Sequence, residues 1–429
     1  AHINKCHVFS KCEITKIVLK RRKFSEVFLF FIIKLCKFVP RIHIHRTIII
    51  QKYFTMRFTI SSTQLSSCLN NLSKVIVNKN SLPILNSFLF EINDGHLTVT
   101  ASDNENVMKA QLELEEFDYD GEFCLSSRTI LDAVKELAEQ PITIDVDLSS
   151  MQTKIIYLNG IYKIVAQSAQ EFPRVISLQE QQTTFTMSSS ALHGCVSRSL
   201  FATASDELRP VMNGIYFDLK PECLCVVSSD GHKLVRNTVF SVKSENPAAF
   251  VLPKKPASLL KNVLRKDDSE IIIKFDNRNA EFIYPEGTLT CRLTEGRYPN
   301  YNSVIPLDNS NVIVVDRRSL LGSLKRILPF ASDSSQLVRL HIENGKLEIS
   351  SEDIDFSTSA REEMICSYDG YPMNIGFKGT TLTEVLNNLD SEEVVVKLAD
   401  PARAGVIVPA QSSEEEEVLM LMMPMLLND

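Results

Sequence analysis

The chain has 429 residues, of which 44% are hydrophobic and 23% are charged, with 14 Gly and 17 Pro. This length predicts about two to four domains of roughly 100–200 residues each, and the composition excludes a disulfide-stapled mini-protein and a disordered or fibrous chain. The formal net charge is −7, but residues 1–55 carry 12 basic and two acidic residues, which leaves −17 for the rest of the chain. An acidic protein binds nucleic acid only if its Lys and Arg residues are concentrated on one face.

Residues 1–55 form a basic segment whose longest apolar run, 27–33, is seven residues long. Spanning a bilayer takes about 20 residues, so we expect no transmembrane helix and no membrane partner. No small-residue cleavage site follows the run, which argues against a signal peptide. The first methionine, Met56, immediately precedes a strand-like stretch. We therefore interpret residues 1–55 as a non-native N-terminal extension, and a basic transit peptide is the alternative.

The cysteine pattern indicates free thiols. Three of the ten cysteines lie before residue 56, which leaves an odd number, seven, and no Cys-x-x-Cys pair occurs. This usage is typical of a reducing cytoplasm and predicts neither disulfides nor a zinc site.

Beyond residue 55 the chain contains three similar repeats. The stretch 58–62 recurs 127 residues later at 185–189, and a third, weaker copy begins at 313. Each copy predicts a strand that continues into an amphipathic helix. Predicted strands at 96–103, 223–230 and 346–352 also correspond. Asp94-Gly95 and Asn344-Gly345 precede two of these strands, and such dipeptides supply the positive φ angles of tight hairpin turns.

A second strand–helix–strand unit occurs once in each repeat, with helices predicted over 128–139, 256–266 and 381–389. Ile130, Leu131, Val134 and Leu137 follow the i, i+3, i+4, i+7 spacing of a helix that packs on one side. Two helices per repeat on largely antiparallel sheets predict an α+β fold. The connections at 171–182 and 298–311 divide the chain into predicted domains at 56–178, 183–306 and 311–429.

Positive charge is concentrated on the predicted helices, which have 15 basic and eight acidic residues in and beside them. This segregation predicts a helical face toward phosphates and an acidic exterior, although helices that are basic by chance remain the alternative. No base-reading motif occurs, so the contacts should be independent of sequence and weaken with salt. The candidate DNA-binding residues on the helices are Arg128, Arg198, Lys254, Lys255, Lys261, Arg265, Arg317 and Lys325. We expect reversal of Lys254 and Lys255 to Glu to weaken retention on DNA without unfolding the protein.

An enzyme is the competing class of function. The run Ser228-Ser229-Asp230-Gly231-His232 contains hydrolase residue types, but it ends a predicted strand without a Gly-x-Ser-x-Gly elbow. No P-loop, dinucleotide-binding glycine pattern or metal-ligand spacing occurs either. We therefore predict no catalytic site, no metal and no cofactor. A membrane-attached protein is a third class, which rests only on residues 27–33.

Six motifs, in order along the chain, carry a family resemblance. They are Ser81-Leu82-Pro83-Ile84-Leu85-Asn86, Glu171-Phe172-Pro173, Leu208-Arg209-Pro210-Val211-Met212-Asn213-Gly214, Ser229-Asp230-Gly231-His232-Lys233-Leu234, Glu295-Gly296-Arg297-Tyr298-Pro299-Asn300-Tyr301 and Met423-Pro424-Met425. With these motifs the chain from Met56 onward resembles the bacterial sliding clamps, the β subunits of DNA polymerase III. The segment before Met56 has no counterpart in that family.

The resemblance implies three clamp domains per chain and a head-to-tail homodimeric ring around double-stranded DNA. Such a ring confers processivity on the replicative polymerase in the cytoplasm and has no catalytic site of its own. By the same resemblance, Lys79 and Arg209 are further DNA contacts, and Tyr162 and Phe330 belong to the dimer interface.

The resemblance also implies a pocket between the second and third domains, where the polymerase, the clamp loader and repair proteins dock short peptides. The matching positions are Met212, Ser229, Gly231, His232, Lys233, Leu234, Pro299, Val304, Met422, Met423, Pro424 and Met425. Flexible, polarisable Met side chains suit a pocket that accepts several partners. Without the resemblance, an ordinary hydrophobic core is the alternative for Met422, Met423 and Met425.

Overall fold

The three sequence repeats fold into three similar units. The computed structural model describes residues 55–77, 82–173 and 177–427, and these contain six α-helices and 25 β-strands. The first and second units correspond at the spacing of 127 residues seen in the sequence. For example, their first helices begin at Ser62 and Ser189, and their last strands begin at Gly160 and Gly287. The predicted three-fold internal repetition is thus a property of the backbone.

The first unit consists of β1 (Thr55–Ser61), α1 (Ser62–Ser73), β2 (Ser87–Asn93), β3 (His96–Ser102), β4 (Asn106–Glu113), β5 (Glu116–Phe117), β6 (Gly121–Ser126), α2 (Ser127–Val134), β7 (Pro141–Asp147), β8 (Gln152–Tyr157) and β9 (Gly160–Val165). The second consists of β10 (Thr183–Ser188), α3 (Ser189–Leu200), β11 (Gly214–Leu219), β12 (Leu224–Ser229), β13 (Lys233–Val239), β14 (Ala248–Pro253), α4 (Lys254–Val263), β15 (Glu270–Phe275), β16 (Asn279–Tyr284) and β17 (Gly287–Arg292). The third consists of β18 (Asn311–Asp316), α5 (Arg317–Ile327), β19 (Leu337–Glu343), β20 (Lys346–Asp353), β21 (Thr358–Ile365), β22 (Met373–Lys378), α6 (Gly379–Asn387), β23 (Glu393–Leu398), β24 (Gly405–Pro409) and β25 (Glu416–Met422).

The first helix of each unit begins at a side chain that caps it. Ser61 Oγ accepts a hydrogen bond from the N–H of Gln64 at 3.2 Å, and Ser188 and Asp316 cap α3 and α5 in the same way. Such caps satisfy N–H groups that a helix start leaves unpaired. The predicted change from strand to helix is therefore confirmed in all three units.

The second helix of the first unit is shorter than its apolar pattern predicts. It ends at Val134, although Leu137 still packs against the core. The N–H of Leu137 donates to the carbonyl of Val134 at 3.2 Å, so a tight turn replaces the last helical turn. The apolar spacing continues through this turn, which is why the pattern alone does not show where the helix ends.

Four antiparallel sheets carry the helices, and two of these sheets continue from one unit into the next. One eight-stranded sheet joins the second unit to the first through β17 and β4, and the other joins the second to the third through β13 and β25. At the first joint Gly287 lies opposite Ala110, and at the second Lys233 lies opposite Met422. The unit boundaries therefore lie inside continuous strand pairing, and we call these two strand pairs the internal joints.

The other two sheets end at unpaired edges. The five-stranded sheet of the first unit has the order β5-β1-β7-β8-β9, and the four-stranded sheet of the third has the order β21-β20-β19-β22. Within the described ranges no strand pairs with the outer side of β9 or β21. An edge strand presents a row of free N–H and C=O groups, so these two edges are available for pairing.

The helices cover buried aromatic and aliphatic residues of the sheets. One cluster extends through the first two units and includes Phe58, Phe90, Phe123, Phe217 and Phe282. A second cluster fills the third unit. The seven cysteines of the described part carry free thiols. In the same part of the chain, no helix has both the length and the apolar character needed to cross a bilayer.

Candidate functional site: a basic helix face and an interdomain apolar cluster

Part of the predicted basic face projects freely from the helices, which pack in pairs within each unit. Lys254, Lys261 and Lys325 are exposed, and no ion pair with a described residue holds them. The side chain of Arg128 is 93% exposed, and that of Arg265 is 64% exposed beside Glu286. Lys79, another of the ten candidate DNA contacts, lies outside the described residues.

His193, on α3, reports the electrostatic character of this face. Partial burial lowers the pKa of its imidazole, and the positive charges of Lys266, Lys261 and Arg198 lower the pKa further. A pKa depressed by cations indicates positive potential at the helix surface. This potential is what an anionic duplex requires of a surface that attracts it.

Arg198 differs from the predicted surface cation, because the structure uses it between two units. Its side chain is only 13% exposed and forms an ion pair with Glu416 of β25. Its Nε also donates to Asn237 Oδ1 at 2.7 Å. Arg198 thus ties the second unit to the third and is not available to a phosphate.

Lys255 likewise differs from its prediction as a free DNA contact. Its Nζ contacts the carboxylate of Asp103, whose side chain is 8% exposed, and donates to the carbonyl of Val75 at 2.8 Å. Both partners belong to the first unit, so Lys255 links the first two units. Part of the positive charge that the sequence places on the helices therefore neutralises acids at the internal joints.

Arg317 is the third predicted DNA contact with internal partners. Its guanidinium donates to the carbonyls of Ser391 at 2.7 Å and Leu386 at 3.0 Å. Leu386 lies in the last turn of α6, where carbonyl groups lack helical partners. Arg317 therefore satisfies the end of α6 and is half-buried.

An apolar cluster lies between the second and third units, where the peptide pocket is predicted. Leu234, Tyr298 and Tyr301 of the second unit are buried with Leu419 and Leu421 of the third. Of the predicted pocket residues, Leu234 belongs to this cluster, and Met212 is buried at 7% exposure. Two predicted residues present apolar side chains to solvent, Val304 at 55% and Met423 at 44% exposure.

The turn between β12 and β13 holds the C-terminal segment against this cluster. Ser229 Oγ donates to the carbonyl of Lys233 at 2.8 Å, and Gly231 has a φ of +94°, which strongly favours glycine. The N–H of Met423 donates to the carbonyl of His232 at 2.8 Å, so these two predicted residues are adjacent.

Lys233 and Arg209 have other surroundings than the sequence predicts. The side chain of Lys233 is 13% exposed, and its Nζ lies 3.1 Å from Glu384 Oε2. Lys233 therefore forms an ion pair between the second and third units and is not a free residue of the predicted pocket. Arg209 is bonded to Asp206 at 2.8 Å, and its guanidinium lies about 3.5 Å from where a Cβ of Gly231 would be. Arg209 therefore lies beside the turn between β12 and β13. Its prediction as a DNA contact does not place it there.

Met422 and Met425 pack on the third unit. Met422 is 2% exposed and belongs to the core of that unit, which corrects its prediction as a pocket residue. Successive strand residues point to opposite faces, so it is Leu421 that joins the cluster, and sequence analysis missed it. The N–H of Met425 donates to the carbonyl of Gly376 of β22 at 2.8 Å. Pro424 lies between Met423 and Met425 and is half-buried.

Tyr301 anchors the short turn Tyr301–Val304, which carries Val304 and follows Pro299. Lys220 Nζ donates to the Tyr301 hydroxyl at 2.7 Å, and that hydroxyl donates to Asp218 at 2.7 Å. Burial, together with the carboxylate of Asp218, raises the pKa of Tyr301, which keeps the phenol protonated. This partly buried chain of hydrogen bonds fixes the turn that presents Val304 and follows Pro299.

The two predicted dimer-interface residues lie near the unpaired edges. Tyr162 is on β9 and its ring packs on Tyr157, with centroids 4.9 Å apart. On the same strand Ile161 is 56% and Val165 is 67% exposed. Phe330, 40% exposed, follows α5 in the third unit.

Comparison with known proteins gives three matches in the order of the three units. The N-terminal domain of the DNA polymerase III beta subunit matches residues 56–176, its central domain matches residues 186–300, and its C-terminal domain matches residues 302–425. The chain belongs to the DNA polymerase III beta subunit family. The sequence resemblance and the predicted fold class are confirmed, and so is the sliding-clamp function of the chain.

Individual relatives agree with this assignment. The beta sliding clamp of Haemophilus influenzae is 25% identical over 369 residues, which cover 86% of this chain and all of that protein. The beta sliding clamp of Synechococcus elongatus is 27% identical and covers 82% of this chain and 96% of its own length. Among solved structures, the Pseudomonas aeruginosa sliding clamp bound to griselimycin has a TM-score of 0.82 at 25% identity, and covers 87% of this chain and 100% of its own. The Thermotoga maritima beta subunit has a TM-score of 0.78 at 28% identity with the same coverage.

Proposed function

We propose that two copies of the chain form a head-to-tail ring that encircles duplex DNA in the cytoplasm, without a catalytic site or cofactor of its own. The ring holds the replicative polymerase on DNA. It also docks that polymerase, the clamp loader and repair proteins through short peptides bound between the second and third domains. The domain limits that we propose are 56–178, 183–306 and 311–429.

The observation that carries the ring is the pattern of joints. In the chain, β4 of the first unit pairs with β17, the last strand of the second unit, and β13 of the second unit pairs with β25, the last strand of the third. By this rule β21 of the third unit continues into β9 of a first unit. Both edges are unpaired within the described part of one chain, so a second copy supplies the missing neighbour at each edge. Two such pairings close a ring of six units, which is a closed head-to-tail assembly.

The internal joint also supports a register for the new pairing. Leu289 lies opposite Met108 in β17·β4, and Tyr162 takes the place of Leu289 at the spacing of 127 residues. The hairpin β3–β4 of the first unit is equivalent to the hairpin β20–β21 of the third. Val99 lies opposite Ala110 in the first hairpin, and the equivalent residue Ile349 lies opposite Glu362 in the second. Ala360 therefore takes the place of Met108. We propose that Tyr162 lies opposite Ala360 of the partner subunit.

Sedimentation equilibrium of the full chain tests the ring. We expect a mass of twice 48.4 kDa at micromolar concentration. Tyr162→Glu should produce the single-chain mass, because the pairing buries this position and an unpaired carboxylate is costly to bury. Tyr371→Glu is the matched control, since Tyr371 is 90% exposed and lies in a loop of the third unit. A wild-type protein that stays a single chain at every concentration would contradict the ring.

The cations that remain exposed support a DNA-facing surface. Lys254, Lys261 and Lys325 are exposed on helices of the second and third units, and Arg265 is mostly exposed. Because a ring is held by encirclement, such contacts need only be weak and independent of sequence. Their number also limits the salt dependence, since each phosphate contact adds about 0.9 to the slope of log K against log salt.

The apolar cluster and the exposed side chains above it support peptide docking. Met423 is exposed beside His232, and Val304 is exposed on the turn that begins at Tyr301. Leu234, Tyr301 and Leu421 belong to the buried cluster. A buried apolar floor with a few polar groups at its rim suits an extended apolar peptide.

Peptide binding gives a direct test of this pocket. A fluorescent peptide with a Gln followed by a Leu-x-Phe-like end should bind the wild-type protein. His232→Ala combined with Met423→Ala should weaken binding at least about tenfold, because both exposed side chains would be covered by the peptide and truncating a contact at the centre of an interface costs more than about 1 kcal/mol. Fluorescence polarisation measures this change, and Tyr371→Ala serves as an exposed control. Unchanged affinity in the double variant would overturn the assignment.

A further inference from the structure

The joint between the first and second units contains an ion pair with a defined setting. Asp103 follows β3 and its Oδ1 accepts hydrogen bonds from the N–H groups of Glu105 at 3.0 Å and Asn106 at 2.7 Å. Its other oxygen contacts Nζ of Lys255, the second residue of α4 in the next unit. The same Nζ donates to the carbonyl of Val75, which lies just after α1. A turn of one unit is thus tied to the second helix of the next.

The same turn occurs in the other two units. Asp230 Oδ1 accepts from the N–H groups two and three residues later, at 2.8 and 2.9 Å, and Asp353 Oδ1 does so at 3.0 and 3.2 Å. At the second internal joint, Asp230 lies 3.5 Å from Lys233, which reaches Glu384 on α6 of the next unit at 3.1 Å. Both internal joints therefore place this aspartate in a charge link to the second helix of the following unit.

At the third unit the link is incomplete in a single chain. Asp353 is 9% exposed, and among the described residues no cation forms an ion pair with it. A buried carboxylate is costly unless a cation neutralises it. Asp353 lines an open groove of about 860 Å³ together with Ile354 and Arg361, at the edge that ends in β21.

Arg128 is the counterpart of Lys255 in the first unit. It lies 127 residues earlier and is also the second residue of its helix, α2. Its side chain is 93% exposed, and its ion pair with Asp132 is long, at 3.9 Å. The counterpart of Val75 in the third unit is Phe330, at the spacing of 255 residues that relates Leu65 to Leu320. Phe330 is 40% exposed, whereas Val75 is fully buried in its joint.

We propose that Arg128 of each copy forms an ion pair with Asp353 of the partner subunit. The proposal rests on the ring proposed above and assigns Arg128 to the subunit interface instead of the DNA-binding face. The guanidinium of Arg128 has enough donors to bind the carboxylate of Asp353 and the main-chain carbonyl at Phe330 of the partner subunit, as the single Nζ of Lys255 does with Asp103 and Val75. The charge of Asp353 is then neutralised only when two copies assemble, and this favours the dimer.

A double-mutant cycle on the full chain tests the pair. Arg128→Met and Asp353→Asn each remove one charge, and the Asn side-chain oxygen still accepts the two N–H groups of the turn. Each single variant should raise the dimer dissociation constant about 100-fold, or roughly tenfold for each of the two joints of the ring. The double variant should be no weaker than either single one, because the partners act as a unit. Analytical ultracentrifugation measures all four constants, with Arg318→Met as the control for loss of an exposed helix arginine.

The outcomes separate this pair from the ring itself. A wild-type chain that never dimerises overturns the ring and the pair together. Dimerisation unchanged by Arg128→Met overturns the pair alone, and a simultaneous loss of DNA affinity would return Arg128 to the DNA-binding face. Fully additive losses in the double variant also overturn the pair, because two residues that do not contact each other add independently.

Discussion

The oxidised Tyr162→Cys/Ala360→Cys protein, loaded on circular duplex DNA, is expected to stay on that DNA in sodium dodecyl sulfate. Residues directly opposite in an antiparallel pair have Cα atoms about 4.5–5.5 Å apart, which lies within the range that a disulfide spans. Two disulfides then close the proposed ring covalently at both joints. Sodium dodecyl sulfate unfolds the protein, but it cannot separate a covalently closed protein ring from circular DNA. Essentially all cross-linked dimers should therefore remain associated with the DNA.

The same plasmid cut once is the decisive control. On linear DNA the cross-linked ring has a free end to leave from, so retention in detergent should fall to background. Each single cysteine variant should give no cross-linked dimer, which controls for the seven native thiols of the described part. Retention that is equal on circular and linear DNA would mean surface binding and would contradict encirclement. Absence of the disulfide in a protein that dimerises would contradict the proposed register.

Neighbouring lysines on α4 are expected to respond in opposite ways to charge reversal. Lys255→Glu places a second carboxylate beside Asp103, which is 8% exposed, and should lower the free energy of unfolding by about 2–3 kcal/mol. This value lies below that for a fully buried pair, because the side chain of Lys255 is 34% exposed. The first thermal transition should fall by about 5–10 °C. Lys254→Glu should change stability by less than about 0.5 kcal/mol, because Lys254 is exposed and its Nζ donates only to the Ser205 hydroxyl and the carbonyl of Ala204, with no ion pair to a described residue.

DNA binding should show the reverse order. Lys254→Glu is expected to weaken affinity for duplex DNA and to reduce its salt dependence, because an exposed cation is lost. Differential scanning calorimetry and fluorescence anisotropy on the same two variants measure both properties. This result would replace the sequence-based expectation that the two reversals act alike and leave the fold intact. Equal stability of the two variants would show that the pair of Lys255 and Asp103 contributes nothing.

The pH dependence of stability provides a second measure of that pair. Burial alone would raise the pKa of Asp103, but hydrogen bonds from Lys255 and Asn106 outweigh it and hold the pKa below its ordinary value. A carboxyl group with a lowered pKa in the folded state stabilises the fold above its unfolded pKa, and this stabilisation is lost as the pH falls through the folded pKa. Lys255→Met should therefore remove stability at neutral pH and reduce the dependence on pH below about 4.

The sequence predicts the three-fold plan because each repeat carries local signals. Ser61 and Ser188, 127 residues apart, cap equivalent helices, and a cap depends only on residues within the next turn. The partners of Arg198 and Lys255 could not be predicted in this way. Arg198 meets a carboxylate 218 residues later in the chain, and Lys255 meets one 152 residues earlier. Which helix cations face solvent depends on how neighbouring domains pack.

The pocket shows the same limit at the level of one residue. The motif around Met423 predicts that this segment lies close to His232, and the structure places Met423 beside His232. Whether Met422 or Leu421 faces the apolar cluster depends on the register of β25 against β13, a strand of another domain. A shift of one residue exchanges the two faces of a strand. Side chains alternate between the two faces along β25. This alternation would have identified Leu421 only once the face of one other residue of the strand was known.

Continuous sheets across both internal joints have a mechanical consequence for DNA entry. Within one chain, hinge motion between units would have to break main-chain pairing from Gly287 to Cys291 at one joint or from Lys233 to Val239 at the other. We therefore expect each chain to be a stiff half of the proposed ring. A gap wide enough to admit a duplex opens with least disruption where two chains meet, so a machine that loads the ring needs to act on β9 or β21 and can leave the interior of each half unchanged.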